Sequence, residues 1–236
     1  MSGPGPEYCP VSMAAALLCE RWNLLIIREL YVGARRFNDI HRGLPGLSRT
    51  LLSQRLRSLR QTGLVMAVAD DGSGSEGYVL TDRGADLERV LMELGSWGVR
   101  WSFPEPSDEQ LDPHLLMWRM RLGLRPRCLP DHRITAELIF EQNQDLVRGW
   151  LIIDGEGSSV CTRHPMFAVD IHARARSEVW YAVWYGQRSW SDALSSRDLS
   201  LSGEPDLVRA FPTWFERSGF ADEVAARYAA GGRSTP

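Results

Sequence analysis

Between Val11 and Phe103 the apolar residues recur mostly at three- or four-residue spacing, the mark of helices with one buried face. From Arg133 to Ala175 they mostly alternate, as in strands. VSMAAALLCE, opened by Pro10 where a first helical turn tolerates proline, predicts a compact helix. RWNLLIIRELYVG predicts a second, with Trp22, Leu25, Ile26 and Leu30 as its stripe and Gly33 just past its end. Phe37 to Gly63 then reads as a short helix, a turn at Leu44-Pro45-Gly46-Leu47 and a longer helix. Proline cannot continue the first helix, and glycine accepts the positive φ of a sharp reversal. Ser48 is placed to cap the longer helix. Leu52, Leu56 and Leu59 fall on one side of it; Thr50, Ser53, Gln54, Arg57 and Gln61 fall on the other, with no carboxylate among them. Hydroxyls, amides and guanidinium on a helix after a tight turn suit the major groove of DNA, although a solvated helical hairpin shares the pattern.

LVMAVA and YVLT, separated by the turn-rich DDGSGSEG, predict a β-hairpin in the position of a wing. Thr81 caps a single long helix, DRGADLERVLMELGSWGVRWSF, ending before Pro104. Its stripe outlasts what one small domain needs to bury, so Leu94, Trp97 and Trp101 are expected at a two-fold interface. Residues 104–112 are polar and proline-punctuated, as a linker is. HLLMWRMRLGL follows as a helix, then HRITAELIFE, LVRGWLIID, SSVCTRH and FAVDIHARA as strands. SEVWYAVWYG and SWSDALSS read as helices, LSLSG as a fifth strand and GEPDLVRAFPTWFERSG as a last helix. The expected class is therefore α+β: a winged helix-turn-helix over 1–103, a linker over 104–112, a five-stranded sheet with helices over 113–222 and a loose tail over 223–236.

Charge sharpens this picture. The 236-residue chain carries a net charge of only −3, but residues 21–60 hold nine Arg against Glu29 and Asp39. Residues 104–236 hold 15 Arg against 19 acids. Electrostatic attraction acts over about 8 Å at physiological salt, so the local excess matters more than the total. All 27 basic residues are Arg, which makes planar, bidentate contacts to guanine or phosphate. The four cysteines have no paired spacing, and no apolar run reaches membrane length. A cytoplasmic protein with reduced thiols and no membrane partner is expected.

Several separated blocks carry a family resemblance: CPV at Cys9–Val11, RWNLLIIREL at Arg21–Leu30, and RFNDI within Gly33–Ile40. LPGLSRTLLSQRLRSLRQTGLV at Leu44–Val65 and YVLTDRG at Tyr78–Gly84 complete the set. Together they resemble the HxlR family of winged helix-turn-helix regulators. The resemblance implies a homodimeric transcriptional regulator, joined through its first and last helices and bound to operator DNA. Arg35, Arg36, Ser48, Arg49, Thr50, Ser53, Gln54 and Arg57 are the expected DNA contacts. The wing departs from the family pattern, carrying Asp70, Asp71 and Glu76 with no Arg. More of the binding then falls to the recognition helix and Arg35/Arg36. Some relatives use a thiol at the position of Cys9 as a redox switch, which is the alternative reading for that residue.

The later order of strands and helices, and Val183 to Phe215 above all, resembles the sterol-carrier-protein type 2-like fold, which implies a cavity for apolar ligands. Trp118, Phe140, Trp150, Phe167, Trp180 and Trp184 are the expected lining of that cavity, with core packing the plainer use of any one ring. His41, His114, His132, His164 and His172 lack metal-ligand spacing, and no nucleophile elbow, phosphate loop or C-x-x-C occurs. Neither an enzyme nor a metal or cofactor is expected. The leading expectation is a regulator, most simply a repressor, tuned by a hydrophobic effector. A lipid carrier, an interaction module and an enzyme are the readings from other classes.

Overall fold

The computed structural model describes residues 8–69, 76–155 and 157–230. Two compact units divide between Leu94 and Gly95. The first opens with helices α1 (Pro10–Leu18), α2 (Asn23–Tyr31), α3 (Phe37–Arg42) and α4 (Arg49–Gln61). Strands β1 (Val65–Ala69) and β2 (Glu76–Leu80) pair as an antiparallel hairpin, followed by α5 (Asp82–Ala85) and α6 (Glu88–Trp101). The wing acids Asp70 and Asp71 lie outside the described residues, as does Met1 to Glu7.

Two local expectations give way. Trp22 is the residue before α2, at φ 82°, where its backbone turns the chain, though its ring still packs on the same cluster; Leu25 leaves the stripe, 39% exposed. The helix from Thr81 is broken into α5 and α6, although Thr81 caps the first by accepting from the Gly84 amide at 3.1 Å. Gly84 explains the close approach there, since a Cβ at that position would lie 2.0 Å from the Leu64 carbonyl oxygen.

Ile26, Ile27 and Leu30 of α2, Ile40 of α3 and Leu52, Leu56 and Leu59 of α4 form one buried cluster. Glu29 is fully buried beside it, its carboxylate accepting from Arg28 at 2.6 and 3.0 Å. A Cβ on Gly43 would fall 1.9 Å from Glu29 Oε2, so the end of α3 closes directly over that carboxylate. Gly46 takes φ 83° in the turn, and Ser48 accepts from the Leu51 amide at 3.2 Å to start α4.

In the second unit α7 (Pro113–Leu122) precedes β3 (Ile134–Gln142), β4 (Asp145–Asp154), β5 (Gly157–Cys161) and β6 (Ile171–Arg176). Helices α8 (Ser177–Trp184) and α9 (Trp190–Ser195), β7 (Leu199–Gly203), α10 (Pro205–Ala210) and α11 (Ala221–Ala229) complete it. The five strands lie in the order β5-β4-β3-β6-β7, with β3 and β6 parallel and every other neighbour antiparallel. Ala136, Leu138 and Phe140 of β3, with Leu151, Ile153, Ile171 and Ala173, turn one face of the sheet toward the helices. Gly149 admits Met117 of α7 to that face, where a Cβ would come within 2.2 Å of its sulfur.

The tail expected to be loose from 223 is helical as far as Ala229. Helix α11 docks on the second half of α6: Phe220 sits where a Cβ of Gly95 would be, and Ser96 meets Glu223 at 3.3 Å. Arg227 donates to the carbonyls of Val99 and of Phe103, the latter at 2.8 Å. Contacts of this kind hold a chain end that composition alone marks as weak. Phe167, expected on a strand, lies before β6 begins at Ile171, and the last expected helix stops at Ala210 before a 3-10 turn over Phe211–Trp214.

Candidate nucleic-acid interface

Thr50, Ser53, Gln54 and Arg57 stand exposed on the face of α4 opposite its three buried leucines. Arg49 is exposed too, but it is held by its own fold. Its Nη2 donates to Asn38 Oδ1 at 2.8 Å, and its guanidinium lies over the Phe37 ring at 5.0 Å. Asn38 is therefore a positioning residue that spacing along α4 could not reveal, because it comes from the preceding helix. Ser48 spends one acceptor on its helix cap and keeps its hydroxyl proton for other use.

Arg35 and Arg36 are exposed just before α3, where their backbone joins the hairpin. The Tyr78 amide donates to the Arg35 carbonyl at 2.8 Å, and Arg36 bridges to Gly77. Two guanidiniums are thus carried on the edge of the wing. Within the same unit Glu76 of the wing faces Arg60 at 3.4 Å, and Arg55 faces Glu20 at 2.8 Å. Arg55 and Arg60 of α4 are thus committed to ion pairs within the unit.

Cys9 precedes α1, partly exposed, and the amides of Ser12 and Val11, with the Ser12 hydroxyl, pull its thiol below its usual pKa. All four cysteines are free. Leu94, Trp97 and Trp101 are 49%, 57% and 69% exposed, so much of the apolar stripe of α6 is open. No single helix among the described residues is long and apolar enough to cross a membrane. Among the same residues no group of His, Cys, Asp and Glu is arranged to hold a metal.

The six rings expected to line one cavity are dispersed. Phe140 and Trp180 are in the main core, stacked on each other with centroids 5.1 Å apart. Trp118 is buried outside that cluster with Arg121 over its ring at 4.7 Å. Trp150 pairs with Glu137 across the strands, which sets it on the opposite face of the sheet, edge-on to His164. Phe167 is 43% exposed beneath Arg133. Trp180 and Trp184 share a crevice whose free volume of about 10 Å³ barely admits a water molecule.

The face bearing Trp150 also carries Glu137, which accepts from Arg148 at 2.8 Å and pairs with His172 Nδ1 at 2.7 Å. Asp170, two residues before His172, accepts from the Thr135 amide at 2.8 Å. Burial works to raise the pKa of Glu137, but Arg148 and His172 together outweigh it and hold the carboxyl below its usual value. A carboxyl depressed in the folded state stabilises above its unfolded pKa, and that contribution fades as pH falls through the folded value. Glu137→Gln should therefore cost about 1 kcal/mol at pH 7, modest because Arg148 and His172 are half exposed. Urea melts of parent and variant should converge below about pH 4; an equal gap at both pH values would remove the ion pair from the account.

Residues 17–106 match the HxlR-like helix-turn-helix family. The chain is 37% identical over 100 residues to the uncharacterized HTH-type transcriptional regulator YvaP of Bacillus subtilis, covering 42% of this chain and 93% of YvaP. It is 36% identical over 106 residues to the HTH-type transcriptional regulator YodB of the same organism, covering 44% and 93%. The solved structure of reduced YodB shares 33% identity over 41% of this chain and 96% of that one, with a TM-score of 0.36. The five-stranded sheet lies beyond the family match.

Proposed function

Because this chain belongs to the HxlR-like helix-turn-helix family, we propose that it is a ligand-responsive transcriptional repressor that binds operator DNA as a homodimer. It is a transcriptional regulator whose DNA contact runs through the helix-turn-helix. The observation that carries the assignment is the acid-free, exposed face of α4, mounted after a tight turn on three buried leucines. In this reading α4 enters the major groove and Gln54, Arg49 and Arg57 meet base edges, while Arg35 and Arg36 grip phosphate. Two copies would place their recognition helices about 34–36 Å apart, one turn of DNA, on a roughly palindromic site. The work is cytoplasmic, where the operator is.

The second unit is read as the sensor, a sterol-carrier-like sheet domain that holds a small molecule without transforming it. A ligand shifts DNA binding only by the difference in its affinity for the competent and incompetent arrangements. A coupling of about 1–3 kcal/mol would change operator affinity by about 5–150-fold. The first test is a gel shift on the DNA upstream of the chain's own gene, repeated over a salt series. Retention no better than on unrelated DNA of equal length would end the repressor reading.

The dimer has its own expected result. Val11 of α1 is 75% exposed, and Trp97 and Trp101 of α6 leave bulky rings in water. Sedimentation at micromolar concentration should give about twice the 26.6 kDa chain mass. Trp97→Glu should shift it to the monomer and weaken operator binding together. Monomer with full operator affinity in the parent protein would exclude the two-fold arrangement.

A further inference from the structure

We propose that the effector site is the cavity between residues 102–110 and α8, and that its ligand is a planar aromatic cation. The cavity holds about 480 Å³, within the range of pockets for small molecules, about 300–1,000 Å³. None of the six rings singled out from the sequence lines it. One wall is Phe103, Pro104 and Pro106; the other is Tyr181 of α8 and Tyr185 just past its end. Phe103 meets Tyr185 edge-on at 5.3 Å, and the Tyr181 and Tyr185 rings lie at 27° with centroids 6.4 Å apart. Phe103 and Tyr185 touch, so a flat ring system would lie over these aromatic faces rather than between them.

The polar groups choose its charge. Three ionisable side chains line the cavity besides the tyrosines: Glu105, Glu178 and Arg188. Arg188 is already committed, its Nη2 donating to Asp198 at 2.7 Å and to the Ser196 hydroxyl. Glu105 accepts from the Tyr228 hydroxyl at 2.7 Å, a neutral donor that leaves its charge in place. Burial, then the bond to Glu105 and its charge, push Tyr228 up to about 12, so this donor stays protonated. Tyr181 is likewise held neutral, its pKa raised chiefly by burial while its hydroxyl donates to the Asp112 carbonyl at 2.9 Å. Two carboxylates beside neutral aromatic faces repel an anion and leave an uncharged ligand with nothing to offset them. A cation over those rings answers both the carboxylates and the ring quadrupoles.

The position of the cavity gives the site its regulatory meaning, a role that rests on the repressor function proposed above. Helix α6 ends at Trp101, and the next residue, Ser102, already lines the cavity. Arg227 fixes the carbonyl of Phe103. A ligand pressed against Phe103, Pro104 and Pro106 therefore acts on the chain that runs directly out of α6.

The test uses three probes of one shape on the full chain: 1-naphthylmethylammonium, 1-naphthalenemethanol and 1-naphthoate, each titrated by calorimetry. The ammonium should bind most tightly, with naphthoate about tenfold weaker or worse. Tyr185→Ala should weaken the ammonium, Glu178→Gln should narrow its advantage over the alcohol, and Trp150→Phe should change neither. Naphthoate binding as well as the ammonium overturns the assignment. So does undetectable ammonium binding at millimolar concentration, or unchanged binding in Tyr185→Ala and Glu178→Gln proteins that melt like the parent. Operator affinity is then measured with the ammonium at saturation. Binding in the cavity with no change on DNA would overturn the ligand-responsive reading and leave the site standing.

Discussion

Trp180→Ala is expected to destabilise the sheet unit by about 3–5 kcal/mol. The ring is 1% exposed, stacks on Phe140 at 5.1 Å and meets Trp190 edge-on at 5.9 Å. Its Nε1 hydrogen is donated to the Ile139 carbonyl of β3 at 3.1 Å. Alanine would leave a cavity in a face where neighbouring side chains are already close-packed, and it would remove the donor from a buried carbonyl. Trp180→Phe should cost less, about 1–3 kcal/mol, because it keeps most of the ring and loses the hydrogen bond. Urea unfolding followed by circular dichroism measures both. A loss below about 1 kcal/mol for the alanine variant would mean that the ring lines space rather than fills it.

Removing Gln54 or Arg57 should weaken operator binding by about 1–3 kcal/mol each while stability changes by less than about 0.5 kcal/mol. Both side chains are exposed on α4, so truncation opens no cavity. Arg49→Ala is expected to behave differently. That side chain also holds Asn38 and covers Phe37, so its loss should lower both affinity and melting temperature. Arg35→Ala and Arg36→Ala should weaken all sequences alike and lower the salt slope by about one. Fluorescence anisotropy on operator and scrambled duplexes, over a salt series, separates these behaviours. If Gln54→Ala and Arg57→Ala both bind the operator like the parent, α4 is not the reading helix.

Helix α4 was legible in the sequence because everything that makes it is local. Pro45 and Gly46 turn the chain, Ser48 caps the helix, and a 3.6-residue period divides Leu52, Leu56 and Leu59 from the polar face. The five strands were legible for the same reason, since alternation and turn residues act between near neighbours. Which face of the sheet each ring occupies was decided only by register and topology. Phe140 and Trp150 are both apolar residues on strands, yet the pairing of Trp150 with Glu137 sends them to opposite sides. The same holds for Glu137 with His172, brought together by the parallel pairing of β3 and β6 across 35 residues. Composition marks 104–112 as polar linker and 223–236 as loose tail, but Arg227 and Tyr228 of α11 bond to Phe103 and Glu105. Local patterning sets which side of an element is apolar; what stands opposite that side is chosen by contacts between residues far apart in the chain, and no period along the sequence encodes them.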